Sequence, residues 1–208
     1  MRGRWSVHKN AAWMGPERNK RRYDFTRGNN GAMKIEHLRI GDKGPAGGVI
    51  FINPTTHGNT TGLWFEAGPC RNPDFVQIPW SSGYGDSGAS GNKIGTGESN
   101  TKLIASMSGN TKDNCAAAYC TSYSWNGFAD WFLPSDDEMA QLYAHRDMVG
   151  GFDDGSAYWS STQGVPGMNF TYETAHVQIF GASGSSGYNV SKDQLYFVRP
   201  VRSFSNLD

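Results

Sequence analysis

The stretch "FADWFLPSDDEMAQLY", residues 128–143, decides how the rest of the chain is read. Aromatic and aliphatic residues run into Pro134, and Ser135 is followed by Asp136, Asp137 and Glu138. Three adjacent carboxylates invite a metal or acid–base reading, but their spacing argues for a helix start. Ser135 and Glu138 form Ser-x-x-Glu, the capping box: the serine hydroxyl accepts from the third helical amide, and the glutamate reaches back to the cap amide. Such a cap stabilises by about 1 kcal/mol, and the acids face the positive end of the helix. No His or Cys lies beside them in sequence to complete a metal set. Met139, Leu142 and Tyr143 recur at i, i+3 and i+4, which predicts a helix over about 136–147 with one buried stripe.

Upstream, Gly48–Ile52 and "GLWFEAG", 62–68, read as apolar strands joined by a turn-rich segment. Residues 70–98 hold Trp80 and Tyr84 among many Gly and Ser and read as a long loop, the kind that carries function. "ESNTKLIASMSG" and "TKDNCAAAYCTSY" predict a first helix with an interruption near Gly109. Downstream, "AYWSST", "ETAHVQIF" and "LYFVRPVRSF" are short β-type runs separated by Gly/Ser/Asn turns. The expectation is an α+β domain over 35–208, with short mixed or antiparallel strands, two helices and long Gly/Ser-rich loops.

The 208 residues suffice for one substantial domain. Formal charge is zero, so no global field selects nucleic acid or an acidic substrate. Only 18% of residues are charged, against 27 glycines and 13% aromatics, a balance that suits a loop-rich binding domain. The neutrality hides an asymmetry. Residues 1–33 carry eight basic residues against Glu17 and Asp24, so this arm is +6 and the remainder −6. Within residues 1–34, Arg2, Arg4, Trp5, Trp13, Arg21, Arg22 and Tyr23 are the candidate partner anchors: aromatic residues and arginines of the kind that dominate interfaces. No apolar run of signal-peptide length follows Met1, and none approaches a membrane span, so a soluble protein without a standard export signal is expected.

Chemistry is sparse. Cys70, Cys115 and Cys120 allow at most one disulfide. Cys115 and Cys120 would project about 140° apart on a helix, poor geometry for a bridge. Cys70 could pair with either, or all three could be buried thiols. The five histidines show no spacing that groups them as ligands or as a base beside a nucleophile. Asp153 and Asp154 read as a solvated turn. "GTGESNT" lacks the lysine and the context of a phosphate loop. No cofactor and no catalysis are expected. What remains are loop aromatics among small polar residues, the composition of adaptable binding surfaces. Tyr172 and Tyr188 are the leading ligand-binding candidates, followed by Trp80, Tyr84 and Phe170; Tyr158, Trp159, Trp64, Trp131 and Phe132 read as core.

"GPAGGVIF", "IGTGESNT", "NGFADWFLPSDDEMAQLY", "GGF…YWSST" and "VRPVRSF" occur here in one order, over roughly 41–204. In this the chain resembles a bacterial and phage domain family of unknown function, related to the C-terminal domain of the Legionella collagen-like adhesin and to Fibrobacter paralogous domains. The resemblance implies a variant of the C-type lectin fold, shared with phage tropism determinants and formylglycine-generating enzymes, in modules that are mostly extracellular or virion-borne and often trimeric. It implies a non-enzymatic phage surface component (tail, fibre or capsid decoration) whose arm docks on other virion proteins and whose domain meets a cell-surface glycan or receptor. The alternative is an extracellular bacterial adhesin or filament subunit. "NPD" at 72–74 and "WNG" at 125–127 do not supply the convergent oxygens calcium wants, so no calcium-dependent sugar site is expected. Cys115 and Cys120 match the five-residue spacing of the copper-binding pair in formylglycine-generating enzymes. They precede the Leu-Pro helix rather than follow it, which leaves a copper-dependent oxidase as a remote alternative.

Overall fold

In a computed structural model of the chain, the described residues are 38–69, 76–164, 172–181 and 185–205, with side chains omitted at 185–188. The proposed arm anchors Arg2, Arg4, Trp5, Trp13, Arg21, Arg22 and Tyr23, and also Phe170 and Cys70, lie outside them.

The domain is α+β. In chain order it runs β1 (Val49–Ile52), β2 (Trp64–Ala67), β3 (Gln77–Ile78), α1 (Gly97–Ala105), α2 (Ala116–Ser122), α3 (Asp136–Ala144), α4 (Arg146–Val149), β4 (Ser156–Gln163), β5 (Thr174–Phe180), β6 (Ser185–Ser191), β7 (Tyr196–Phe197) and β8 (Val201–Phe204). One sheet is β1-β2-β8, and the other is β3-β7-β4-β5-β6. All pairings are antiparallel except β4 with β7.

Three expectations change. The two helices become four among the described residues. α1 and α2 separate around Gly109, whose φ of +86° a side chain would strain, and α2 restarts from Cys115 in an extended conformation. α3 stops at Ala144, and a single turn, α4, follows. The run "LYFVRPVRSF" is two strands in different sheets, divided at Val198–Pro200. A strand also passes through "SSGYNVS", where Gly and Ser conceal it in sequence, and pairs with β5 as a hairpin.

Side chains alternate across a strand, and β4 shows the consequence. Tyr158 belongs to one buried cluster with Phe180, Met139, Leu142 and Phe65, while Trp159 belongs to another with Val177, Ile78, Trp80 and Ile104. Strand β4 is therefore buried on both faces. α3 and the small sheet cover one, and α1, α2 and the segment around Trp80 cover the other. An antiparallel sheet more often leaves one face to solvent.

The quoted motifs meet in space. Glu66 in β2 is fully buried and stands opposite Arg202 in β8. It accepts from the Ala46 and Gly48 amides at 3.0 and 2.8 Å and from Arg202 at 2.8 Å. Arg202 also grips Asp130, with two contacts of 2.8 Å. A Cβ at Gly44 or Gly48 would lie 2.5 or 2.8 Å from the Glu66 carboxylate, so glycine is needed at both. Arg199 donates to the Gly151 and Gly150 carbonyls. "GPAGG", "WFEAG", "FADWF" and "VRSF" thus meet around the buried Glu66–Arg202 pair, and "GGF" meets "RPV" through Arg199.

Candidate binding surface and neighbouring polar sites

The capping box closes as expected: Ser135 N donates to Glu138 Oε2 at 2.8 Å, and the reciprocal bond is present. Glu138 does more than cap. It is fully buried and also accepts from the Gly95 and Gly97 amides at 2.7 and 3.4 Å. Burial pushes its carboxyl up to about 7, against the pull of the Ser135, Gly95 and Gly97 amides. Both capping residues are structural, and neither reaches a ligand-facing surface.

Of the predicted ligand contacts, Trp80 is a correction. It is fully buried in the core and its Nε1 donates to the Ser160 carbonyl at 2.8 Å. The aromatic ring found more stabilisation against α1, α2 and β4 than on the surface. Tyr158, Trp159, Trp64, Trp131 and Phe132 are buried, as expected. Tyr188 sits on β6 opposite Val177, and its side chain lies outside the described residues.

Tyr84 and Tyr172 are a different matter. They are 54% and 53% exposed, and the structure brings them together from 88 positions apart in sequence. Gly85 N donates to the Tyr172 carbonyl at 3.3 Å, and the Tyr84 hydroxyl lies 3.3 Å from Ser191 Oγ. Both tyrosines stand on segments held from beneath. Lys192 is buried, its ammonium 2.8 Å from the Gly85 carbonyl, 2.9 Å from Gln163 Oε1 and 4.4 Å from the centre of the Trp80 ring. Gln163 Oε1 also accepts from the Ser87 amide and hydroxyl, while Gln163 Nε2 donates to Asp86 at 3.0 Å. Trp80 N donates to the Lys192 carbonyl and Lys192 N to the Glu173 carbonyl, both at 2.9 Å. Burial pulls the Lys192 amine down to about 8, partly offset by Asp86. An amine of that basicity can act as a nucleophile, but this one is enclosed and hydrogen-bonded. Its role is to pin the loop.

Exposed carboxylates surround the tyrosines: Asp86, Glu173 and Asp193. The Gly88 amide and Gln163 hold Asp86 below its ordinary range, and the Ser191 and Tyr84 hydroxyls do the same for Asp193. The arrangement offers two aromatic faces, hydroxyls and negative charge on a fixed backbone. It can bind; its geometry presents no nucleophile beside a base.

The reading of sequence missed Lys192, Gln163 and Ser191. Lys192 had one visible signal, since it is the single Lys or Arg between Arg146 and Arg199.

A pocket of about 260 Å³ lies between α3 and β5, lined by Asp136, Asp137, Ser160, His176 and Gln178 over Met139 and Ala140. Asp136 accepts from Ser160 Oγ at 2.5 Å and contacts His176 Nδ1, which ties α3 to β4 and β5. No sequence spacing groups these three residues. The serine hydroxyl is turned to the carboxylate rather than to the imidazole, so they do not form a nucleophile–base relay. Among the described residues no group of three or more His, Cys, Asp or Glu side chains forms a metal cluster.

Cys115 and Cys120 are free and buried. Cys115 caps α2, donating to the Trp80 carbonyl at 3.3 Å and accepting from the Ala118 amide at 3.5 Å. Burial raises both thiols, Cys120 strongly. No helix among the described residues is long and apolar enough to cross a membrane.

No protein-family model matches the chain, and no curated protein matches it.

Proposed function

We propose that the chain is a non-enzymatic binding module of the C-type lectin-like type, displayed on a phage virion as a tail, fibre or capsid-decorating component. Its Tyr84–Tyr172 surface faces a cell-surface receptor or glycan, and its basic aromatic arm docks on other virion proteins, with a trimer as the expected assembly. One observation carries the binding role: two half-exposed tyrosines on segments joined by the Gly85–Tyr172 backbone bond and pinned from below by Lys192. A loop fixed before binding loses little entropy on contact, which favours affinity. The motif order described above supports the scaffold and the virion setting. A bacterial surface adhesin uses the same surface and differs only in how it reaches the outside.

The test is binding of the fluorescently labelled full-length protein to a panel of bacterial cells. The Tyr84→Ala, Tyr172→Ala double variant should bind at least about tenfold more weakly, with an unchanged melting temperature. Equal binding by the variant overturns the reading. Deleting residues 1–33 from the phage-encoded protein should abolish its incorporation into particles, and an unchanged yield on particles removes the role of the arm.

A further inference from the structure

The charge around the tyrosines narrows the partner. Four short segments converge there: residues 81–88, 172–174, 191–192 and the turn that follows. They are joined through Gly85 to Tyr172, Lys192 to Glu173, Lys192 to Gly85, and Tyr84 to Ser191. Their solvent-facing charged side chains are Asp86, Glu173 and Asp193, all carboxylates. The one lysine among them is buried, with its ammonium occupied by the Gly85 carbonyl, Gln163 and the Trp80 ring. Its charge is spent inward. The adjoining sequence, residues 164–191, contains no Lys or Arg.

An aromatic face carries negative π density and attracts a cation placed over it. Neighbouring carboxylates add charge-assisted hydrogen bonds, most directionally to a guanidinium. An anionic ligand, such as a sulfated or phosphorylated glycan, would meet like charges and find no free cation on these segments. The tyrosines and carboxylates come from several chain segments, which suits an extended chain.

We infer that the Tyr84–Tyr172 surface docks a basic peptide segment of a protein partner, with an arginine or lysine head group set against the tyrosine rings and flanked by Asp86, Glu173 and Asp193. The inference rests on the binding-module reading and gives it a partner class. Arginine is the favoured side chain, because its planar group stacks on tyrosine while its fork meets carboxylates.

The experiment is an amide NMR titration of the full-length protein with two probes, acetyl-Gly-Arg-Arg-Gly-amide and its citrulline counterpart, which keeps the shape and removes the charge. The arginine peptide should shift the Gly85, Glu173 and Ser191 resonances, and the citrulline peptide should bind at least about fivefold more weakly. Glu173→Gln with Asp193→Asn, two changes outside the lysine clamp, should weaken the arginine peptide by a further factor of about five with no change in melting temperature. Equal binding of the two peptides overturns the inference. So does a heparin disaccharide that shifts the same amides when the arginine peptide does not; in that case the surface is still a binding site and the broader reading stands. The broader reading fails separately, when the tyrosine double variant binds cells like the parent.

Discussion

Two of the buried ionisable side chains that hold loops in this domain, Glu138 and Lys192, are opposites. Glu138 is a carboxyl group set among N–H donors from Ser135, Gly95 and Gly97. Lys192 is a cation set among oxygen acceptors from Gly85 and Gln163, under an aromatic ring. Neither has an opposite charge in direct contact among these partners. Each is tolerated in the interior because its hydrogen-bonding capacity is met. They differ in what they hold. Glu138 fixes the entries of α3 and α1, and thus the scaffold. Lys192 fixes the loop that carries Tyr84, and thus the proposed binding surface. The same physical device serves architecture at one place and presentation at the other.

The comparison can be broken most sharply at the carboxyl group. Glu138→Ala leaves three interior amides without an acceptor and should destabilise the fold by about 4 kcal/mol in urea unfolding, with Glu138→Gln losing about half of that. A glutamine variant as stable as the parent would show that the charge itself is not needed. At the cation, Lys192→Met should cost about 2 kcal/mol, since it strands the Gly85 carbonyl while refilling the space. It should also speed hydrogen exchange at the Gly85 amide by about tenfold and leave amides of α3 unchanged. Unaltered exchange at Gly85 would remove the pinning role.

The two groups also predict opposite pH slopes. The folded-state carboxyl of Glu138, at about 7, lies above its ordinary 4.5, so the folded protein binds the proton more tightly. Its contribution is full below pH 4.5 and is lost as pH rises towards 7. The folded-state amine of Lys192, at about 8, lies below its ordinary 10.5, so the unfolded chain binds the proton more tightly. Its contribution is full above pH 10.5 and is lost as pH falls towards 8. Glu138→Gln should flatten the acidic slope alone, and Lys192→Met the alkaline one alone, in stability curves measured by urea unfolding.

The smallest stability effect belongs to the surface being presented. Tyr84→Ala and Tyr172→Ala should each change stability by less than about 0.5 kcal/mol while reducing cell binding. A large loss of stability would mean that these rings plug the loops instead of facing a partner.

Legibility followed the range of the interactions. The α3 cap was readable because Ser135 and Glu138 are three residues apart and the box is closed by local bonds. The strands of Val49–Ile52 and Trp64–Ala67 were readable as apolar runs. The strand at 185–191 was not, because its glycine and serines carry no β-type pattern and its existence depends on pairing with β5. Trp80 was misread as a surface aromatic, since a tryptophan among Gly and Ser looks the same whether it faces solvent or fills a core 80 residues away in sequence. Lys192 went unnoticed because its acceptors lie 29 and 107 residues upstream.

By itself the sequence determined the α+β class, the start of α3, the position of the main apolar runs and the charge division between arm and domain. Those are properties of neighbours in the chain, where spacing and composition act directly. Tertiary structure decided which aromatics face water, which glycines must admit the Glu66 carboxylate and which carboxylates surround Tyr84 and Tyr172. Burial, desolvation and hydrogen-bond satisfaction depend on groups that only folding brings within reach of one another.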